Sequence, residues 1–204
     1  MKLYHCPNTR SVRPLWLLEE LGISYDIQLV NVFAQEGHTE DYLKLHPHGA
    51  VPVLEDDGTV IFEAGAICMY LTEKYADRNL APTLDSDDRG RYFQWMFYVP
   101  ATMEPPLWNI FLHTKGLPKP KRIPGIIDYS RERFKKVAEV LNHAVSDRPF
   151  LLGDRFNTPD IMVGSTLQWQ PDLLENYPAL QAYRKRLSQR PAYQKANAIG
   201  QKAE

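Results

Sequence analysis

Lys2 to Gly22 reads KLYHCPNTRSVRPLWLLEELG, and three physical patterns follow one another in it. KLYH has strand character. CPNTRS is a loop carrying a proline, an asparagine and two hydroxyl side chains. VRPLWLLEELG then sets Val12, Leu15, Trp16, Leu18 and Leu21 on one helical stripe that stops at Gly22. A second strand pattern covers 25–32, so the segment is a βαβ unit. Its crossover is long enough for the two strands to run parallel, and a right-handed connection is expected.

Moving outward, a short helical segment at 39–45 precedes VPVLEDDGTVIFE at 51–63, where Asp57-Gly58 marks a hairpin between two short antiparallel strands. Ile67, Leu71 and Tyr75 then repeat at helical spacing over 64–75. The order β-α-β-α-β-β-α defines an α/β thioredoxin-like domain over 1–77. Residues 78–86 are polar, contain a proline and lack periodicity, which reads as a linker. Strand patterns then vanish. Helices are expected at 87–115, 126–145, 158–170 and 178–189, making 87–204 an all-α bundle, with Pro105-Pro106 kinking its first helix.

Composition narrows the class. A net charge of -1 at pH 7 leaves no basic footprint for nucleic acid or an anionic membrane. Met1 leads directly into a strand, and no apolar run approaches membrane-spanning length, so a cytoplasmic protein is expected. Cys6 and Cys68 belong to no CxxC pair or metal-ligand spacing, so no structural disulfide is expected. His46 and His48 flank Pro47, but no third ligand accompanies them, and no metal is expected.

Four motifs, in order and spread along nearly the whole chain, carry a resemblance. KLYHCPNTRSVRPLWLLEELG is similar to the opening strand, active-site loop and first helix of the glutathione S-transferases. LHPHGAVPVLEDDGTVIFEAGAICMYL (45–71) resembles their N-P-x-G-x-V-P-x-L followed by E-S-x-A-I-x-x-Y-L. FLLGDRFNTPDI (150–161) looks like the motif opening the bundle's core helix, and YPALQAYRKRLSQRPAYQKA (177–196) like the family's C-terminal pattern. The resemblance implies glutathione as co-substrate, conjugation of its thiolate to an electrophilic small molecule, and a homodimer. Two rivals remain: a glutathione-dependent disulfide reductase or peroxidase, and a non-catalytic interaction protein of the same fold.

Ser11 stands where a serine caps a helix, with Pro14 in the first turn. The positive end of that helix favours an anion, and a hydroxyl donor would lower the roughly 8.5 pKa of a free thiol. By resemblance Ser11 is the catalytic serine. Tyr4 matches the catalytic tyrosine of other classes, Thr9 and Asn8 could donate instead, and Cys6 lies near the position of redox nucleophiles. Arg10 replaces the cysteine of some bacterial members and adds positive potential, as does Arg13.

The resemblance further implies a cis Val51–Pro52 bond, with the Val51 backbone pairing the cysteinyl part of glutathione. It also implies Glu63 and the following residue at the γ-glutamyl end, and His38 near the glycine carboxylate. That following residue is a serine in the family and Ala64 here, so one hydrogen bond to a charged group is missing, about 1.5–3 kcal/mol. The aromatic-rich FQWMFYVPATMEPPLW (93–108) supplies Tyr98, Met103 and Trp108 as expected second-substrate residues. Asn157 and Asp160 form a capping box of purely structural purpose.

Overall fold

A computed structural model describes residues 1–201 as two compact units, one of Met1–Ala81 with the segment from Ser188 onward, the other Pro82–Leu187. In the first unit, β1 (Lys2–His5), β2 (Asp26–Leu29), β3 (Val53–Asp56) and β4 (Thr59–Phe62) form one sheet in the order β2-β1-β3-β4. β1 and β2 are parallel, in register Leu3 to Ile27. β3 runs antiparallel to both β1 and β4, with Leu3 opposite Leu54 and Leu54 opposite Ile61. β2 is shorter than the expected 25–32. The chain leaves the ladder after Val30, whose NH still bonds the His5 carbonyl, and turns into a one-turn helix at Val32–Ala34.

α1 (Val12–Leu21) and α3 (Ala64–Lys74) pack on the sheet and on each other, while α2 (Glu40–Leu45) is a short connector. The apolar stripe read from the sequence is the core: Leu15, Trp16, Leu18, Leu54, Ile67 and Leu71 are fully buried. Each such side chain contributes about 1.5–3 kcal/mol. Gly22 ends α1 in the left-handed region, φ 64°, where its NH bonds the Leu18 carbonyl. Asp57 and Gly58 make the hairpin turn, both at positive φ. The hairpin is tied to α3 through Asp56, which accepts from Tyr70 Oη at 2.8 Å and pairs with Lys74 Nζ.

The first unit also holds a helix that the periodicity did not reveal, α9 (Pro191–Ala198), so it takes in the C-terminal end of the expected 87–204 bundle. α9 packs along α1: Arg190 grips Glu20 with two bonds of 2.6 and 2.7 Å, Lys195 pairs with Glu19 at 2.7 Å, and Tyr193 sits edge-on to Trp16.

The second unit is helical: α4 (Arg89–Tyr98), α5 (Glu104–Phe111), α6 (Pro124–Ala144), α7 (Thr158–Thr166) and all but the last residue of α8 (Pro178–Ser188). The expected break at Pro105-Pro106 falls one turn earlier, as a widened π-turn at Val99–Met103. The reason is steric: a proline ring collides with the carbonyl four residues upstream, so the helix opens there and Pro105 and Pro106 become the first turn of α5. α7 is buried throughout. At its start, Asp160 has no exposed surface and accepts from Asn157 N at 2.8 Å, Leu151 N at 3.0 Å and Tyr183 Oη at 2.6 Å. Among the described residues no helix is long and apolar enough to cross a membrane.

Candidate functional site

The candidate residues of the first unit gather at the C-terminal end of β1, in the loop that follows it, and beside two further chain segments. The loop 6–11 folds over a small apolar cluster of Cys6, Val30, Tyr42, Val51 and Val53. The Cys6 thiol is therefore a packed, buried group of that cluster. It is the Cys6 backbone that organises the loop: its carbonyl accepts from Thr9 Oγ1 at 2.7 Å and Ser11 Oγ at 3.0 Å, and its NH donates to Ser11 Oγ at 3.1 Å.

Ser11 departs from the expected cap. Its backbone is already helical, φ -67° and ψ -14°, and its side chain makes no capping bond to α1. A residue in that conformation aims its side chain back along the loop. The hydroxyl lies 2.7 Å from His5 Nδ1 and 2.8 Å from Thr9 Oγ1, and Ser11 is 0% exposed. Thr9, by contrast, keeps part of its surface open to solvent.

His5 is the residue that sequence reasoning missed. Alternation along β1 puts Leu3 and His5 on the same inward face, and His5 is 1% exposed. Its Nε2 is buried without a hydrogen-bond partner among the described residues. Burial pushes its pKa below the ordinary histidine value, against a smaller opposing pull from the backbone at Ile199 and Ser11. The signal was an ionisable residue at a core parity of the strand.

Tyr4 faces the other way. Its hydroxyl donates to Glu55 Oε2 at 2.8 Å, and its ring is edge-on to Tyr42 at 5.6 Å. Burial first, then the Glu55 carboxylate, raise the phenol to about 12. A proton held by a carboxylate is poorly placed to stabilise a thiolate. Arg13 is buried and close enough to Cys68 to oppose the burial that raises that thiol to about 12, so its charge is turned inward. Arg10 stays half-buried.

The segment 46–52 forms a second side of the site. The Val51–Pro52 peptide is cis. Tyr42 Oη donates to the Ala50 carbonyl at 2.7 Å, pinning the residue before Val51. Gly37 and Gly49 touch backbone to backbone. A Cβ on Gly37 would collide with the Gly49 carbonyl, and one on Gly49 would come within 3.0 Å of the His38 ring. His38, exposed, is thereby held against this segment. His46 is buried against Phe62, ring centroids 4.9 Å apart, and its Nδ1 accepts from His48 N. Burial and then His48 lower its pKa, with Glu63 opposing. No group of three His, Cys, Asp or Glu side chains suited to a metal ion occurs among the described residues.

Glu63 and Ala64 start α3. Glu63 is exposed with φ 75°, a sparsely populated conformation for a non-glycine residue, and gives no capping bond to the helix. The first-turn NH groups and the positive helix end are thus left without a side-chain cap, which is the physical make-up of a carboxylate site.

Of the three residues expected to contact a second substrate, Met103 is fully buried in the helical unit and has no surface to offer. Helical phase explains it: Val99 and Met103 fall on the inner side of the widened turn, both at 0% exposure. Tyr98 is half-buried beside Trp95, and burial raises its phenol. Trp108 is exposed and stacked on Phe111 at 5.2 Å.

The model of the glutathione S-transferase N-terminal domain matches residues 1–73, and that of the C-terminal domain matches residues 112–191. The chain is 31% identical to glutathione S-transferase F9 of Arabidopsis thaliana over 79% of this chain and 76% of the relative. It is 26% identical to glutathione S-transferase GstA of Escherichia coli O157:H7 over 96% of both. Among solved structures, a sphingomonad glutathione S-transferase complexed with glutathione is 27% identical, with a TM-score of 0.83 over 97% of each chain.

Proposed function

Because the chain belongs to the glutathione S-transferase family, we propose that it is an enzyme that binds glutathione on its first unit and transfers the thiolate to an electrophilic small molecule. The observation that carries this reading is the reach of the likeness: relatives named glutathione S-transferases match almost the whole chain, both units included. The γ-glutamyl carboxylate is assigned to the uncapped start of α3 at Glu63 and Ala64, the cysteinyl backbone to Val51, and the glycine carboxylate to the side of His38, with Arg10 adding positive potential. The thiol is assigned to the loop 6–11, beside the positive end of α1. There the thiol loses its proton to solvent. The sulfur then forms a bond to the electrophilic carbon as the leaving group departs, and catalysis is thiolate stabilisation plus proximity.

The protein is proposed to act in the cytoplasm as a homodimer. Val60 and Phe62 support the second point, since they expose adjacent apolar side chains on the edge strand β4. Light scattering on the purified protein tests the dimer. Calorimetric titration with glutathione, paired with conjugation of an aryl chloride, tests the activity. Saturable binding with turnover is the expected result, and neither binding nor turnover up to millimolar glutathione overturns the reading. Turnover of a disulfide or hydroperoxide with none of the aryl chloride would assign the reductase or peroxidase chemistry instead.

A further inference from the structure

Three hydrogen-bonding side chains meet in the loop that the glutathione reading assigns to the thiol, and only one of them has surface. Ser11 Oγ is enclosed by His5 Nδ1 at 2.7 Å, Thr9 Oγ1 at 2.8 Å, the Cys6 carbonyl at 3.0 Å and the Cys6 NH at 3.1 Å. Both His5 and Ser11 are within 1% of complete burial, whereas Thr9 is partly open.

We propose that His5 is a positioning residue for the thiol site: it and Ser11 form an internal pair that fixes the loop, and Thr9 is the hydroxyl that meets the glutathione sulfur. The proposal rests on the glutathione reading above.

A serine hydroxyl has one proton and two lone pairs. If His5 Nδ1 is bare, it takes the Ser11 proton across 2.7 Å. If Nδ1 carries the proton, it donates to Ser11 Oγ, and Ser11 in turn donates to the Cys6 carbonyl or to Thr9. In both tautomers the Ser11 proton is committed inside the protein, and its oxygen has no path to a ligand. The Thr9 proton is different. In the structure it reaches the Cys6 carbonyl at 2.7 Å; when Nδ1 carries the proton, Ser11 can give its own to that same acceptor, so in that tautomer Thr9 can turn its proton to a sulfur without leaving the carbonyl unpaired. A thiolate accepting that bond beside a helix N-terminus has its pKa lowered. His5 therefore acts on the sulfur only through Ser11 and Thr9.

The test measures the apparent pKa of the bound thiol from the pH profile of kcat/KM with an aryl chloride, together with the glutathione Kd by calorimetry, in Thr9→Val, Ser11→Ala, His5→Leu and His5→Asn. Thr9→Val keeps the shape and removes the donor, so about a tenfold loss of kcat/KM at neutral pH, from a rise of about one unit in thiol pKa, is expected with Kd changed less than about threefold. His5→Leu should move the pKa in the same direction by a smaller amount. His5→Asn, whose amide can stand where Nδ1 stands, should restore most of it, a rescue that a purely packing role for His5 would not give. A thiol pKa unmoved in Thr9→Val but raised in Ser11→Ala overturns the proposal and returns the thiol to Ser11. Equal effects of His5→Leu and His5→Asn also overturn it, leaving His5 a core residue. If the parent protein binds no glutathione, the underlying reading fails together with the proposal. Parent binding with an unresponsive Thr9→Val sinks the proposal alone.

Discussion

The start of α7 and the start of α3 are helix N-termini of opposite construction. At α7 a buried carboxylate, Asp160, receives the Asn157 NH, the Leu151 NH and the Tyr183 hydroxyl, and the Asn157 side chain answers the Asp160 NH, so donors of that end are met from within the protein by a capping box. At α3 the preceding residue, Glu63, is exposed, sits at φ 75° and caps nothing, while the first helical residue is an alanine. A helix end closed by its own side chains serves folding. One left uncapped and near solvent keeps its donors for something else. The loop at α1 lies between the two cases: it is closed by neutral hydroxyls and a neutral ring, groups that can exchange donor and acceptor roles as a fixed carboxylate cannot.

Substitution at Asp160 should have the largest effect. Asp160→Ala leaves two buried NH groups and a buried phenol without an acceptor, a loss of about 3–5 kcal/mol. A fall in Tm of roughly 10 °C or more by differential scanning calorimetry is expected for a chain of this size. Turnover of the folded variant should be within about twofold of the parent, and a variant that lost turnover at unchanged Tm would break the contrast.

Acid should weaken the first unit in particular. Burial lowers the pKa of both His5 and His46 in the folded state, so between the folded and the ordinary histidine value the unfolded chain binds more protons than the folded one. Stability therefore rises with pH through this window. It is fully present above about pH 6.5 and lost as pH falls below it, by at most about 1.4 kcal/mol per pH unit for each ring. Urea midpoints at pH 7.5 and 5.5 should show this decline, and a His5→Asn, His46→Asn double variant should flatten it. An equal slope in the double variant would remove both rings from the account.

The smallest effect sharpens the contrast most. Ala64→Ser should supply one hydroxyl to the carboxylate assigned to α3, tightening glutathione by about tenfold in calorimetric titration while leaving Tm within a degree or two. A gain in Tm without a gain in affinity would make α3 another end whose capping serves stability alone.

Much of this was legible in the residues. The stripe from Val12 to Leu21, the Asp57-Gly58 turn and the capping box at Asp160 are local signals, and local signals survive folding. The cis Val51–Pro52 bond came only through resemblance, since periodicity and composition are blind to peptide isomers. α9 was missed because PAYQKANA is short and buries only one residue fully, Ala196, with Ala192 and Tyr193 partly covered. What ties it down, the Arg190–Glu20 and Lys195–Glu19 pairs and the Tyr193–Trp16 contact, joins residues far apart in sequence. Ser11 shows a subtler limit. Its place before an apolar stripe fits a cap, but whether such a side chain turns to the helix or back to the loop depends on His5 and the Cys6 carbonyl. Met103 fails for the same kind of reason: an aromatic- and methionine-rich stretch does not reveal its helical phase when a π-turn shifts it.

The grip of α9 on α1 carries a consequence for the order in which the molecule is made. β1 and α1 are synthesised before the helical unit, yet Trp16, Glu19 and Glu20 do not meet Tyr193, Lys195 and Arg190 until the whole of that unit, Pro82–Leu187, has been translated. At about 5–20 residues per second, the earlier-made unit waits roughly 5–20 s for its last helix. The unit that starts first is thus finished last, and during that interval the outer face of α1 is bare to whatever else in the cell binds an exposed tryptophan.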